Sequence, residues 1–189
     1  MKKIYGLSLA IPKEIDSDLC IKSPNSDIKV SAWSLDSKNI SEVVTWYHHW
    51  QMPDGHIWLS SGKNKNGLYV LHFVDENIDF AFSFDGKEIY YQCLEKFNAE
   101  DVRHILLTQV LPLVLNLRGT EALHASSVLS LHGAVVFIGK SGAGKSTIST
   151  GLLKRGFSII SDNVVPVFER SNKIWTSSGP PDLGVWPWV

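Results

Sequence analysis

The sequence predicts an α+β fold: an N-terminal antiparallel β region, a linking helix, and a C-terminal α/β domain built around a phosphate-binding loop (P-loop). Three observations carry this prediction. The first ~95 residues are a succession of short apolar runs separated by turn signals. Residues 98–118 then carry apolar side chains at helical spacing. Finally, Gly139-Lys140-Ser141-Gly142-Ala143-Gly144-Lys145-Ser146 matches the pattern G-x-x-x-x-G-K-[ST] with no mismatch.

The β region is read in order. Lys3 to Ala10 predicts an edge strand ended by Pro12, and Asp27 to Trp33 a second strand with Ile28, Val30 and Ala32 on one face. Ser41 to Gln51 fits two descriptions, because Val43, Val44, Trp46, Tyr47 and Trp50 could equally line a short helix. Ile57-Trp58-Leu59 and Leu68 to Val74 are apolar runs with an Asn66-Gly67 turn signal between them. Ile78 to Phe84 alternates, placing Ile78, Phe80, Phe82 and Phe84 on one face. Asp85-Gly86 and a second run to Leu94 complete the strongest hairpin signal in the chain. The expected arrangement is a meandering antiparallel sheet.

Asn98 is placed to cap a helix, with Glu100 and Asp101 in its first turn. Val102, Ile105, Leu106, Val110, Leu113 and Leu117 form its stripe, Pro112 should kink or split it, and Gly119 should end it. The boundary therefore falls between Glu95 and Asn98, giving a β-rich region 1–97 and a second domain 98–189 with the helix 98–118 linking them. Leu123 to Leu131 reads as one strand and His132-Gly133 as a turn. Ala134 to Ile138 reads as a fully buried strand directly before the loop. Ser146 to Arg155 reads as a helix with Ile148, Leu152 and Leu153 sharing a face, Lys154-Arg155 in its last turn and Gly156 at its stop. Phe157 to Ser161 and Val164 to Phe168 follow as short strands.

Strand, loop and helix thus occur in the order that phosphate binding requires. Small residues let successive backbone N–H groups converge on a phosphate chain, and the helix adds its positive end. Gly139 to Thr147 is the candidate ATP-phosphate site; Lys145 would reach the β/γ-phosphates and the Ser146 hydroxyl would hold Mg²⁺. Lys140, at a variable position of the loop, more often faces solvent in such a loop than touches phosphate.

Composition excludes several classes. Hydrophobic residues are 44% and charged residues 20%, as in an ordinary globular domain, and the net charge of −1 offers nothing to nucleic acid. No apolar run approaches the ~20 residues that span a bilayer. The apolar stretch after Lys2-Lys3 is broken by Tyr5, Gly6 and Ser8 and stopped by Pro12, so it is not read as a secretion signal. Two cysteines, Cys20 and Cys93, are too few for a disulfide framework, and the expected location is cytoplasmic with both reduced.

Asp162 ends the first strand after the loop helix. If the sheet is parallel there, strand ends share an edge, which sets Asp162 beside Ser146 to bind Mg²⁺ or accept the proton of an attacking hydroxyl. His124, upstream of the loop, is a phosphate contact or acid/base partner on one reading and a satisfied structural histidine on the other. His48, His49 and His56 match no common zinc spacing and read as surface residues.

The succession Leu123-His124-Ala125-Ser126, Gly139 to Thr147, Lys154-Arg155-Gly156-Phe157 and Ser161-Asp162-Asn163 resembles the catalytic domain of bacterial HPr kinase/phosphorylase. It is more similar still to the HPr-kinase-like serine kinases often associated with peptide-modifying gene clusters, as is Gly179-Pro180-Pro181…Trp186-Pro187. The resemblance implies an ATP- and Mg²⁺-dependent serine kinase. In it Asp162 is the general base, Lys145 and His124 assist, and Ser146, Asp162 and Asn163 lie at the metal. It further implies a protein or peptide serine as acceptor, no nucleic-acid or membrane partner, and a self-association compatible with a homo-oligomer. The family's Asp-Asp is Asp162-Asn163 here, which removes a charge from the metal and bears on phosphorolysis. Relatives continue well beyond the position of Val189, so the resemblance implies either a truncated domain or one that borrows elements from a partner. The alternatives to phosphotransfer are a nucleotide-binding regulator and an inert kinase remnant.

Overall fold

A computed structural model describes residues 3–16, 25–33, 40 and 42–180. Cys20, Pro181, Trp186 and Pro187 lie outside the described residues. The fold is mixed α+β and mostly strand. Among the described residues no helix is long and apolar enough to cross a membrane. The chain divides into two compact units, Ser8–Val110 (with Met1) and Leu111–Val189 with Lys2–Leu7.

The first unit holds strands β1 (Leu9–Ala10), β2 (Ile28–Ala32), β3 (Val43–Gln51), β4 (Ile57–Asn64), β5 (Tyr69–Phe73), β6 (Ile78–Phe82) and β7 (Glu88–Cys93) in one seven-stranded sheet. Its order is β1-β2-β7-β6-β5-β4-β3. From β3 to β7 the sheet is the expected antiparallel meander. The expectation fails at β1 and β2, which are parallel to each other and to β7. The two early strands attach to the open edge left by the last strand of the meander.

Three further corrections have local causes. The predicted strand Lys3–Ala10 is interrupted by a tight turn in which Tyr5 (φ 54°) and Gly6 (φ 82°) are both left-handed, so only Leu9–Ala10 pairs as a strand. The ambiguous Ser41–Gln51 segment is strand from Val43, not helix. Its pairing with β4 slips between Val43 and Thr45, Trp46 and His48, and Trp50 and Gln51, and such bulges erase a period-two pattern. Phe84 is 74% exposed rather than aligned with Phe80 and Phe82. The strand ends at Phe82, and Ser83 to Gly86 form the turn, closed by Gly86 N–H to the Ser83 carbonyl at 3.0 Å.

All five residues of β6 are buried, including Asp79. Asp79 aligns with His72 on β5, which aligns with Ser60 on β4, which aligns with His49 on β3. The row is hydrogen-bonded in pairs: His49 Nδ1 to Ser60 Oγ at 2.7 Å and His72 Nδ1 to Asp79 Oδ1 at 2.6 Å. Asp79 Oδ2 is buried with no partner, and the hydrogen bond that His72 donates to Asp79 raises the His72 pKa above its ordinary value. Cys93 is free.

Helix α1 (Ala99–Ile105) starts as predicted: Asn98 Oδ1 accepts the Glu100 N–H at 3.0 Å. Leu106–Val110 is a π-helical turn, and Leu111–Leu117 is α2. The wider turn lies just before Pro112, whose ring would clash with a carbonyl four residues back in a regular helix. It also shifts the helix phase. The buried residues after it are Leu111, Val114 and Leu115, while Leu113 and Leu117, expected in the stripe, are exposed. Gly119 (φ 78°) terminates α2, with Thr120 N–H on the Leu115 carbonyl and its own N–H on Asn116.

The second unit continues with β8 (Glu121–Leu123), β9 (Ala125–Ser130), β10 (Gly133–Ile138), α3 (Lys145–Leu153), β11 (Ser158–Ser161), β12 (Val165–Arg170) and β13 (Lys173–Thr176). They form two three-stranded sheets, β10-β9-β11 and β13-β12-β8. The single strand predicted over Leu123–Leu131 is thus two, broken at His124. The chain from β11 to β12 breaks beside it, so both strands change sheet at one corner. The strand before the loop is not fully buried: β10 is a sheet edge, and Ile138 is 71% exposed. Helix α3 packs on β9 and β11 instead, turning buried Ser149 inward and leaving Ile148 and Leu153 exposed.

Candidate functional site

Strand β10 ends at Ile138, and the chain turns through Gly139 to Gly144 into α3. Gly142 (φ 77°) and Gly144 (φ 87°) are left-handed, a conformation that costs other L-residues about 1–2 kcal/mol. A Cβ on Gly139 would press on the Ala143 methyl at 3.3 Å. Gly144 is the N-cap residue, and no side chain caps the first N–H groups of α3. Lys145 folds back over the loop, its Nζ donating to the carbonyls of Gly139 at 2.9 Å and Lys140 at 3.1 Å. Lys140 itself and Thr147 are exposed. A Schellman pair closes the far end: Phe157 N–H on Leu152 and Gly156 N–H on Leu153. Lys154 and Arg155 lie beyond the helix rather than in its last turn.

Asp162 meets the loop. Both β10 and β11 run antiparallel to β9, so they point the same way and their carboxyl ends lie on one edge. The predicted neighbourhood therefore arises although no parallel pair exists in that sheet. Ser146 Oγ donates to Asp162 Oδ1 at 3.0 Å. Asp162 is only 7% exposed, and its Oδ2 is buried without a hydrogen-bond partner. The turn that carries Asp162 is held on three sides. Ser161 Oγ donates to the Val164 carbonyl, bridging Asp162 and Asn163. Gly179 N–H donates to Ile160 at 3.0 Å, where a Cβ would collide with Ser161 Oγ. Tyr5 N–H in turn donates to Ser178 at 2.7 Å.

His124 stands at the start of β9. One step beyond the last register pair, Ile138 with Ala125, it leaves the sheet at the edge where Gly139 begins the loop. Its Nδ1 bonds the Asn163 main-chain oxygen at 3.1 Å, not the Asp162 carboxylate. Asn163 (φ 70°) joins the site through that carbonyl, which also accepts the Ala125 N–H at 3.3 Å.

The structure thus gathers Gly139, Lys140, Ser141, Gly142, Ala143, Gly144, Lys145, Ser146 and Thr147 with Asp162, Asn163 and His124. The remaining histidines are elsewhere: His56 pairs with exposed Asp75 at 2.5 Å, and His48 packs edge-on against Trp50. Among the described residues no group of three or more His, Cys, Asp or Glu could hold a metal ion. The donors near the loop are instead a hydroxyl and one carboxylate, with the unclaimed Asp162 Oδ2 as the position that fits a hard cation. Two features escaped sequence reading. Ser126 on β9 and Ser149 on α3 share a buried 2.5 Å hydrogen bond, with Ser149 the buried residue of α3; no sequence signal marked it. The His72–Asp79 pair depends on strand register, which a sequence alone does not display. Compared with protein-family models, curated proteins and solved structures, the chain matches none.

Proposed function

We propose that the protein is an ATP-dependent serine kinase, its second unit a P-loop domain of the HPr-kinase type, transferring the γ-phosphoryl group to a serine of a protein or peptide. The observation that carries this reading is the Ser146–Asp162 hydrogen bond at 3.0 Å beside a buried, unpartnered carboxylate oxygen, at the N-terminus of a helix that no side chain caps. Loop N–H groups and the start of α3 would bind the phosphates, and Lys145 would exchange its two carbonyl partners for phosphate oxygens. Ser146 and Asp162 would hold Mg²⁺, which supplies charge neutralisation at the phosphates. The acceptor serine oxygen forms the new P–O bond as the bond to ADP breaks, and its proton passes to Asp162.

The test has two arms. ATP is titrated with and without Mg²⁺ into the full chain and into Lys145→Ala; binding that the variant loses supports the site. Serine peptides are then incubated with ATP and read by mass spectrometry. Asp162→Asn should reduce transfer by about a hundredfold or more. Full transfer by that variant refutes the assigned base, and binding without any transfer replaces the kinase with a nucleotide-binding regulator. No binding at high ATP leaves the inert remnant.

A further inference from the structure

Asn163 was expected beside the metal through its side chain, yet its place in the structure is defined by its backbone. Its φ of 70° is a conformation that Asn adopts far more readily than β-branched residues. That conformation turns its carbonyl back toward the start of β9, where it accepts from both His124 Nδ1 and the Ala125 N–H. A carbonyl oxygen can only accept, so the hydrogen must sit on Nδ1. In a neutral imidazole the other nitrogen, Nε2, is then the one with a lone pair. The His124 ring is exposed, at the sheet edge where the phosphate loop begins.

We infer that Asn163 is a positioning residue acting through its main-chain carbonyl: it holds His124 as the Nδ1–H tautomer and leaves Nε2 as a hydrogen-bond acceptor for a hydroxyl-bearing ligand at the loop edge. The identity of that ligand as the acceptor serine rests on the kinase reading; the tautomer rests on geometry alone. The left-handed turn is the device. Ser161 Oγ spans the same turn by donating to the Val164 carbonyl.

The tautomer is read directly by ¹⁵N–¹H correlation of the imidazole ring in the full chain at about pH 9, where histidine is neutral. Wild type should show the Nδ1–H pattern for His124. Asn163→Gly, which retains access to positive φ, should keep that pattern; Asn163→Val, which resists it, should lose it. In parallel, Asn163→Val should weaken Mg²⁺–ATP binding more than Asn163→Gly does. An Nε2–H pattern in the wild type overturns the inference. So does an Asn163→Gly protein that loses the pattern, or that loses the 10–100-fold in Mg²⁺–ATP affinity typical of a removed metal partner, since the amide side chain is then what matters. If Asn163→Val does not fold, the wild type and Asn163→Gly decide the question. Absence of ATP binding in every protein refutes the kinase reading while the tautomer is still read.

Discussion

Ser126 and Ser149 are each fully buried, and their hydroxyls are 2.5 Å apart, one on β9 and one on α3. Each is the other's partner, so removing one should cost more than removing both. Ser149→Ala leaves the Ser126 hydroxyl buried in a strand without this bond, which should destabilise by about 1–3 kcal/mol. Ser126→Ala should cost less. Ser149 sits within a helix, where a serine hydroxyl can fall back on the carbonyl four residues earlier. The double variant replaces a hydroxyl pair by two apolar groups and should lie within about 1 kcal/mol of wild type. The double-mutant cycle should therefore return a coupling of about 1–2 kcal/mol. Urea unfolding measures this through the midpoint, provided the slope is constant across the four proteins. Ser149→Val adds volume at the same contact and should push α3 off β9, at a cost of about 1–3 kcal/mol. If the two alanine costs simply add, the hydroxyls are not a coupled pair, and the account of how α3 seats on its sheet is wrong.

The His72–Asp79 pair sets a pH dependence. The folded-state pKa of His72 is raised, so its stabilisation is fully present below about pH 6.5, the unfolded value, and is lost as pH rises through the folded value. His72→Gln can still donate to Asp79 but does not titrate; the difference in urea midpoint between it and wild type should shrink steadily above pH 6.5, and a difference independent of pH would show that the pair does not titrate as described. In the loop, nothing lies within 4 Å of a Cβ placed on Gly144, so any cost of substitution there is conformational. Gly144→Ala should lose about 1–2 kcal/mol for its left-handed φ, by urea unfolding, and Gly144→Val more, with ATP binding lost in folded protein; an unchanged midpoint for both would refute the left-handed assignment.

Features that depend on neighbouring residues were legible in the sequence. The turn from Gly139 to Gly144 that leads into a helix, the Asp85-Gly86 hairpin turn, the Asn98 cap and the Gly119 stop all rest on a few adjacent side chains, and all appear where expected. What was not legible depends on distant partners or on phase. The bulges in β3 hid its strand character. The π turn before Pro112 moved the helix stripe by one position and exposed Leu113 and Leu117. The exposure of β10 follows from which strands α3 covers, which no local pattern records. Asp162 was placed beside Ser146 by assuming a parallel sheet; the placement holds because two strands flanking a common antiparallel neighbour also end on the same edge. The role of Asn163 was read from its side chain, whereas the structure engages its backbone.

The small turn at Ile4–Leu7 has a consequence for how the chain must assemble. It belongs to the second unit, while Ser8–Val110 forms the first. The first unit is therefore an insertion, threaded between the opening residues of its host and the remainder. During synthesis it is complete while Tyr5 still waits for Ser178, which emerges after the whole of that unit. The segment that closes over Ser161 is thus made long after the turn it meets. Completion of the corner that holds Asp162 therefore waits until Ser178 and Gly179 have been made.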